Sequence, residues 1–176
     1  MTTSFSLRTL SRDDILHHLP ALSEILASCV NGGASVSFML PFAPQTAITF
    51  WQRTADSVAV GERIVLAAFD AEERPVGTVQ LITSQPENQP HRADVAKLLV
   101  HQNVRRQGIA QALMSELERI ARRERKTVLV LDTATGSGAE QFYARCGWEK
   151  VGEIPRYALM PDGEMTATSL FYKFLP

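Results

Sequence analysis

Hydrophobic and polar residues alternate from Phe5 to Leu10, with Phe5 and Leu7 set against Ser6 and Arg8, which predicts a first strand. Ser11 then suits a helix N-cap, and Asp13 and Asp14 follow where negative charge favours the helix start. Pro20 interrupts that helix and predicts a kink or a break into two pieces. The cluster from Asn31 to Ser35 reads as a turn. A second helical stretch runs from about Pro44 to Val60, its apolar side carried by Ile48, Trp51, Ala55, Val58 and Ala59. Arg63 to Phe69 and Pro75 to Thr83 form a strand pair around the polar stretch from Asp70 to Arg74. Ser84 to His91 is polar loop, and Arg92 to Val100 is a third long strand ending in Leu98, Leu99 and Val100.

From Gly108 to Lys126 the spacing of Ile109, Leu113, Leu117, Ile120 and Ala121 predicts the clearest helix in the chain, with basic residues at its end. Thr127 to Leu131 is a continuous apolar run, expected of a strand buried on both faces. A short helix from Ser137 to Cys146 closes at Gly147. Two strands, near Trp148 to Tyr157 and Thr166 to Phe174, flank a turn at Pro161-Asp162-Gly163. This order of elements predicts one α/β domain over residues 1–176 with a mixed sheet.

Composition narrows the function. The 176 residues carry 18 basic and 19 acidic side chains, a formal charge of −1, so the basic excess of a nucleic-acid binder is missing. No apolar run nears the roughly 18 residues that span a bilayer, and the first residues lack the pattern of a signal peptide. The expected setting is the cytoplasm, without membrane or nucleic-acid partners. Cys29 and Cys146 form no CxxC unit, and the adjacent His17 and His18 cannot share a helix face, so no metal site is expected.

The stretch from Val95 to Ala110 carries the chemistry. It leads from a strand through a short polar loop to Gly108 at a helix start. The first turn of that helix leaves backbone N–H groups free at the positive end of the dipole, which makes an anion site. Gly108 lacks a Cβ and Ala110 is small, so a pyrophosphate can approach the backbone. Neither the GxxxxGK[ST] nor the GxGxxG pattern of nucleotide loops is present.

Arg105-Arg106-Gln107-Gly108-Ile109-Ala110 instead resembles the R/Q-x-x-G-x-G/A motif of the GCN5-related N-acetyltransferase (GNAT) family. The resemblance implies the GNAT fold, a twisted, mixed but mostly antiparallel sheet of six to seven strands flanked by helices, with a splayed central strand pair. It implies acetyl-CoA as donor, with Leu98, Leu99 and Val100 holding the pantetheine arm through their backbone. Arg105, Arg106, Gln107, Gly108, Ile109, Ala110 and Gln111 would wrap the pyrophosphate. On this reading the acetyl-CoA side is mainly residues 91–150 and the acceptor side mainly 1–90.

A second segment, Ala139 to Trp148, is similar to the family's A-x-x-x-Y-x-x-x-G-F pattern. It implies that Tyr143 gives a proton to the leaving sulfur; a core tyrosine with a satisfied hydroxyl is the alternative. Acetyl transfer also needs a neutral amine and an oxyanion donor. The donor expected is the backbone N–H of Leu99 or Val100. Asp94 stands where many members carry Glu and is the candidate base, with Asp132 its rival; either carboxylate can instead be structural. Many members carry Asn where this chain has Gly136, so Ser137 or the backbone would make that pantetheine contact.

Val30 to Val36, Leu131-Asp132-Thr133, Gly136-Ser137, Val151 to Pro155 and Pro161-Asp162-Gly163 also look like the family's tabtoxin-resistance branch, whose acceptor is an amino-acid-like β-lactam. That likeness implies a small amine acceptor, amino-acid-like or antibiotic-like, in contact with Asn31, Gly33, Ser35 and Asp132. A peptide or protein N-acetyltransferase and a non-catalytic acyl-CoA sensor are the alternatives. A homodimer is compatible with all three.

Overall fold

A computed structural model of the chain describes residues 4–176. Strand β1 (Ser6–Leu10) leads into α1 (Arg12–His17). There Ser11 and Asp14 cap one another: Asp14 N–H donates to Ser11 Oγ at 3.1 Å and Ser11 N–H to Asp14 Oδ2 at 2.9 Å. Those bonds hold the Asp14 carboxyl below its usual range, the backbone bond first. Pro20 breaks the helix as its pattern predicts. It sits in the first turn of α2 (Leu19–Asn31), where its missing N–H costs nothing. A loop then leads to α3 (Pro44–Ala59).

Strands β2 (Arg63–Phe69), β3 (Pro75–Ile82) and β4 (Arg92–Val100) follow. The helix read from the strongest apolar spacing is α4 (Ile109–Arg123), and it buries Ile109, Leu113, Met114, Leu117, Ile120 and Ala121. Burying each large member stabilises by roughly 1.5–3 kcal/mol. Lys126, expected at the end of this helix, lies beyond it. Its Nζ donates to the Pro90 and Thr83 carbonyls at 2.8 and 3.3 Å, so this cation caps a loop rather than the helix.

After α4 come β5 (Val128–Ala134), α5 (Gly138–Arg145), β6 (Glu149–Leu159) and β7 (Met165–Phe174). All seven strands join one sheet in the order β1-β2-β3-β4-β5-β7-β6. Only β4 and β5 run parallel; the other neighbours are antiparallel. One expectation fails here. Leu129 and Leu131 are buried, whereas Val128 and Val130 on the opposite face are only half-buried, so β5 is not covered on both sides.

The sheet separates two apolar layers. Leu66, Val79, Leu81, Ala93 and Val95 face α4, while Val65, Ala67 and Phe69 face α1, α2 and α3. Two irregularities in β4 place the site. Its pairing with β5 covers only Arg92↔Val128, Ala93↔Leu129 and Asp94↔Val130, after which the strands part. Its register with β3 shifts between Thr78 and Gln80, where Lys97 adopts a left-handed φ of 54°.

Candidate active site

Where β4 and β5 part, a cleft of about 990 Å³ opens between the sheet, α4, α5 and the loop after α2. Most of the predicted site residues line it. Leu98 and Val100 do so from β4, Arg105, Arg106, Gly108, Ile109, Ala110 and Gln111 from the α4 loop, and Ser137 and Tyr143 from the α5 segment. Asp132 reaches it from β5, and Gly33 and Ser35 from the loop.

Strand alternation divides the three β4 residues. His101 N–H donates to Val76 C=O at 2.9 Å, so Leu99, two residues earlier and opposite Thr78, also directs its N–H toward β3. Its side chain is buried on the α2 face and does not line the cleft. The N–H groups of Leu98 and Val100 point the other way, into the gap. Of the two oxyanion donors considered, this geometry favours Val100. Its carbonyl is fixed by the Cys29 thiol at 3.4 Å, and Gln102 N–H donates to Ser28 Oγ at 3.2 Å, so α2 anchors the start of the loop before α4.

At the start of α4, Gly108 has φ +77° and no side-chain cap. The intrahelical ladder begins with Ala112 N–H on Gly108 C=O at 3.0 Å, so the N–H groups of Ile109, Ala110 and Gln111 precede it and face the cleft end. Glycine therefore serves twice: its backbone is left-handed, and it leaves the approach open. Arg106 shares the left-handed conformation at φ +64°. Gln107 is half-buried and does not line the cleft.

Tyr143 is 92 % buried, its ring packed against Phe142, Trp148 and Phe171. Burial, then the nearby Cys146 and Asp132, push its phenol up to about 12, so it stays protonated at any ordinary pH. Ser137 Oγ is buried with no partner in the protein, as a contact awaiting a ligand amide would be. Asp132 accepts from Thr168 Oγ1 at 2.9 Å through Oδ2, which leaves Oδ1 for other work.

Asp94 and Asn31 are not brought to the cleft wall. At the foot of β4 the Asp94 Oδ1 is held by Arg92 at 2.5 Å and its Oδ2 accepts from Gln85 Nε2 at 3.1 Å. Asn31, the last residue of α2, is exposed and also lies outside the lining. The loop beyond it contributes Ser37 instead, and Met160 comes from the far end of β6 and β7. Leu40 N–H donates to Pro161 C=O at 2.9 Å, so these two walls are joined. Lys97, which the sequence reading passed over, also lines the cleft.

A parted strand pair beside an uncapped helix start, with an unpaired hydroxyl between them, suits an extended ligand ending in phosphates. The comparisons agree. Residues 32–148 match the model of the acetyltransferase (GNAT) family. An N-acetyltransferase from Staphylococcus aureus Mu50 superposes with a TM-score of 0.78 at 14% identity, covering 99% of this chain and 100% of that one. The ribosomal-protein-alanine N-acetyltransferase of Brucella melitensis gives 0.76 at 23% identity, over 97% and 99%. For yncA of Salmonella typhimurium, solved with its cofactor acetyl-CoA, the score is 0.78 at 16% identity, over 99% and 95%. With two thirds of its length matched by that model and the parted strands in place, this chain belongs to the GNAT family of acetyltransferases, which take the acetyl group from acetyl-CoA.

Proposed function

We propose that the protein is an N-acetyltransferase whose single domain moves the acetyl group of acetyl-CoA directly to the amine of a small acceptor. The observation that carries the small acceptor is the Leu40–Pro161 hydrogen bond, which ties the loop after α2 to the turn between β6 and β7. That tie narrows the cleft on the side lined by Ser37 and Met160, which favours a small acceptor over a peptide. The presence of Tyr143 beside Asp132 in the cleft supports catalysis over mere acyl-CoA sensing.

The residues divide the work as follows. The amide groups at the start of α4, with Arg105 and Arg106, hold the pyrophosphate. Leu98 and Val100 bind the pantetheine arm by their free edge, and Ser137 Oγ hydrogen-bonds it. Bound there, acetyl-CoA supplies an activated acyl group. Asp132 takes a proton from the acceptor ammonium, through water or directly, to leave a neutral amine; its nitrogen bonds to the carbonyl carbon as the C–S bond breaks, and the second nitrogen proton leaves to water. Val100 N–H stabilises the carbonyl oxygen as it gains charge. Tyr143 donates a hydrogen bond to the departing sulfur. With a phenol near 12 against a free thiol near about 8.5, complete proton transfer from Tyr143 is uphill, so solvent delivers the final proton.

Among the described residues no helix is long and apolar enough to cross a membrane. This reading puts the protein in the cytoplasm with its acetyl-CoA supply. A homodimer belongs to it as well. Strand β6 is a sheet edge that exposes Val151, Ile154, Tyr157 and Leu159, and a second copy can cover that row. The test of function is free thiol release from acetyl-CoA with small amines set against N-terminal peptides, the product confirmed by mass. Turnover of peptides in preference to every small amine would overturn the reading.

A further inference from the structure

The loop from β4 to α4 begins with a histidine whose two ring nitrogens are both engaged. His101 is the N-cap of a short 3₁₀ helix (Gln102–Val104), and its Nδ1 accepts from Asn103 N–H at 3.1 Å. Its carbonyl accepts from Val104 N–H at 3.0 Å, so side chain and backbone close this turn together. On the other side of the ring, Nε2 lies 3.3 Å from Glu24 Oε1 on α2. The His101 side chain is only 18% exposed. The same loop continues through Arg105 and Arg106 to Gly108 at the start of α4, so what fixes this turn also fixes the approach to the amide groups there.

These contacts select one protonation state. Nδ1 accepts, so it carries no proton; Nε2 carries it and donates to the Glu24 carboxylate. A second proton, on Nδ1, sets one N–H against another and undoes the cap on Asn103. The charge beside the ring acts in the opposite sense, because a carboxylate attracts an imidazolium. Glu24, however, is half-exposed, and its other oxygen already holds Arg74, from the turn between β2 and β3, at 2.9 Å. Its pull is shared and screened by water. On the loop itself Arg105 lies beside the Cys29 thiol, and β3 offers the ring residue only the Val76 carbonyl, which accepts its backbone N–H.

We propose that His101 is a positioning residue for acetyl-CoA. Neutral, it caps the turn and holds the loop before α4 in the form that receives the pyrophosphate; protonated, it releases that loop. The inference rests on the pyrophosphate assignment of residues 105–111 and adds a proton to it. Acetyl-CoA and the proton then oppose each other, so a bound cofactor keeps the ring neutral.

The experiment measures calorimetric affinity for acetyl-CoA from about pH 8 to about pH 5, the span in which histidine changes charge. It compares wild type with His101→Asn, a good N-cap that does not titrate, and with His101→Ala, which has no cap. The ligand's own phosphate monoester titrates at about pH 6 with every protein, so the readout is the difference between proteins. As pH falls, wild type should lose roughly fivefold in affinity relative to His101→Asn, the effect of one cap. His101→Ala should be weaker by a similar factor at the alkaline end and meet wild type at the acidic end. In NMR spectra of the ligand-free proteins, the Asn103 amide should move with pH in wild type and stay still in His101→Asn. Parallel affinity curves for wild type and His101→Asn overturn the proposal, and they decide it even where His101→Ala fails to fold. Wild-type affinity in a folded His101→Ala overturns it too. Should Gly108→Ala also bind at full strength, the pyrophosphate assignment itself has failed; a weakened Gly108→Ala confines the failure to His101.

Discussion

Removing one oxygen as Tyr143→Phe separates chemistry from packing. The ring is the buried part, held edge-on by Phe142 and Trp148, and phenylalanine keeps those contacts. No hydrogen bond contributes to the raised phenol pKa, so the hydroxyl has little to lose structurally. A hydrogen bond to a charged partner is worth about 1.5–3 kcal/mol. If the phenol serves the departing sulfur, kcat should fall by roughly 10- to 150-fold. KM for acetyl-CoA and thermal stability at pH 7 should barely move. The same group makes an alkaline prediction. Because its folded-state pKa is raised to about 12 from an ordinary 10, the native state keeps a proton that the unfolded chain loses. The stability this supplies is whole below pH 10 and is lost as pH rises toward 12, by about 3 kcal/mol for two pH units. Tyr143→Phe should flatten that loss in chemical denaturation at pH 8 to 11. Wild-type turnover in a folded variant would refute the catalytic role, and an unaltered alkaline slope would refute the burial argument.

The two carboxylates should separate cleanly. Asp132→Asn is expected to lower kcat by about 10²-fold, whereas Asp94→Asn should leave kcat within about twofold and cost about 1 kcal/mol of stability through its lost pair with Arg92. The reverse outcome in steady-state kinetics would return Asp94 to the base position. At Gly108, alanine adds only a methyl, but at φ +77° it strains the backbone by about 1–2 kcal/mol. Calorimetric affinity for acetyl-CoA should fall at least fivefold in Gly108→Ala, and unchanged affinity would reduce the loop to a helix stop.

Local signals carried far in this chain. The Ser11 cap, the Pro20 break and the apolar spacing of α4 each depend on residues a few positions apart, and each element formed where its residues predict. The loop ending at Gly108 meets the start of α4 for the same reason. Other features depend on how side chains meet in the fold. Asp94 is adjacent in sequence to the right strand positions, yet Gln85 and Arg92 decide what its oxygens do. Lys97 falls in phase with Ala93 and Val95, an odd place for a cation on an apolar face. That mismatch was a readable sign of a bulge, but where the turned side chain would point depends on Ser37 and Phe50, 60 and 47 residues away.

The short pairing of β4 with β5 also bears on how the folded state responds to its surroundings. From Val95 onward the β5-facing edge of β4 has no strand beside it, so the sheet is continuous on one side of that strand and interrupted on the other. A ligand that docks along this edge adds the missing ladder only to the native chain, never to the unfolded one. Its binding free energy is then folding free energy: at a hundredfold excess over Kd it adds about 2.7 kcal/mol. The level of acetyl-CoA would thus set the lifetime of the protein as well as its turnover. In amide hydrogen exchange, the slowed sites should be Leu98 and Val100, with Leu99 already slow beforehand.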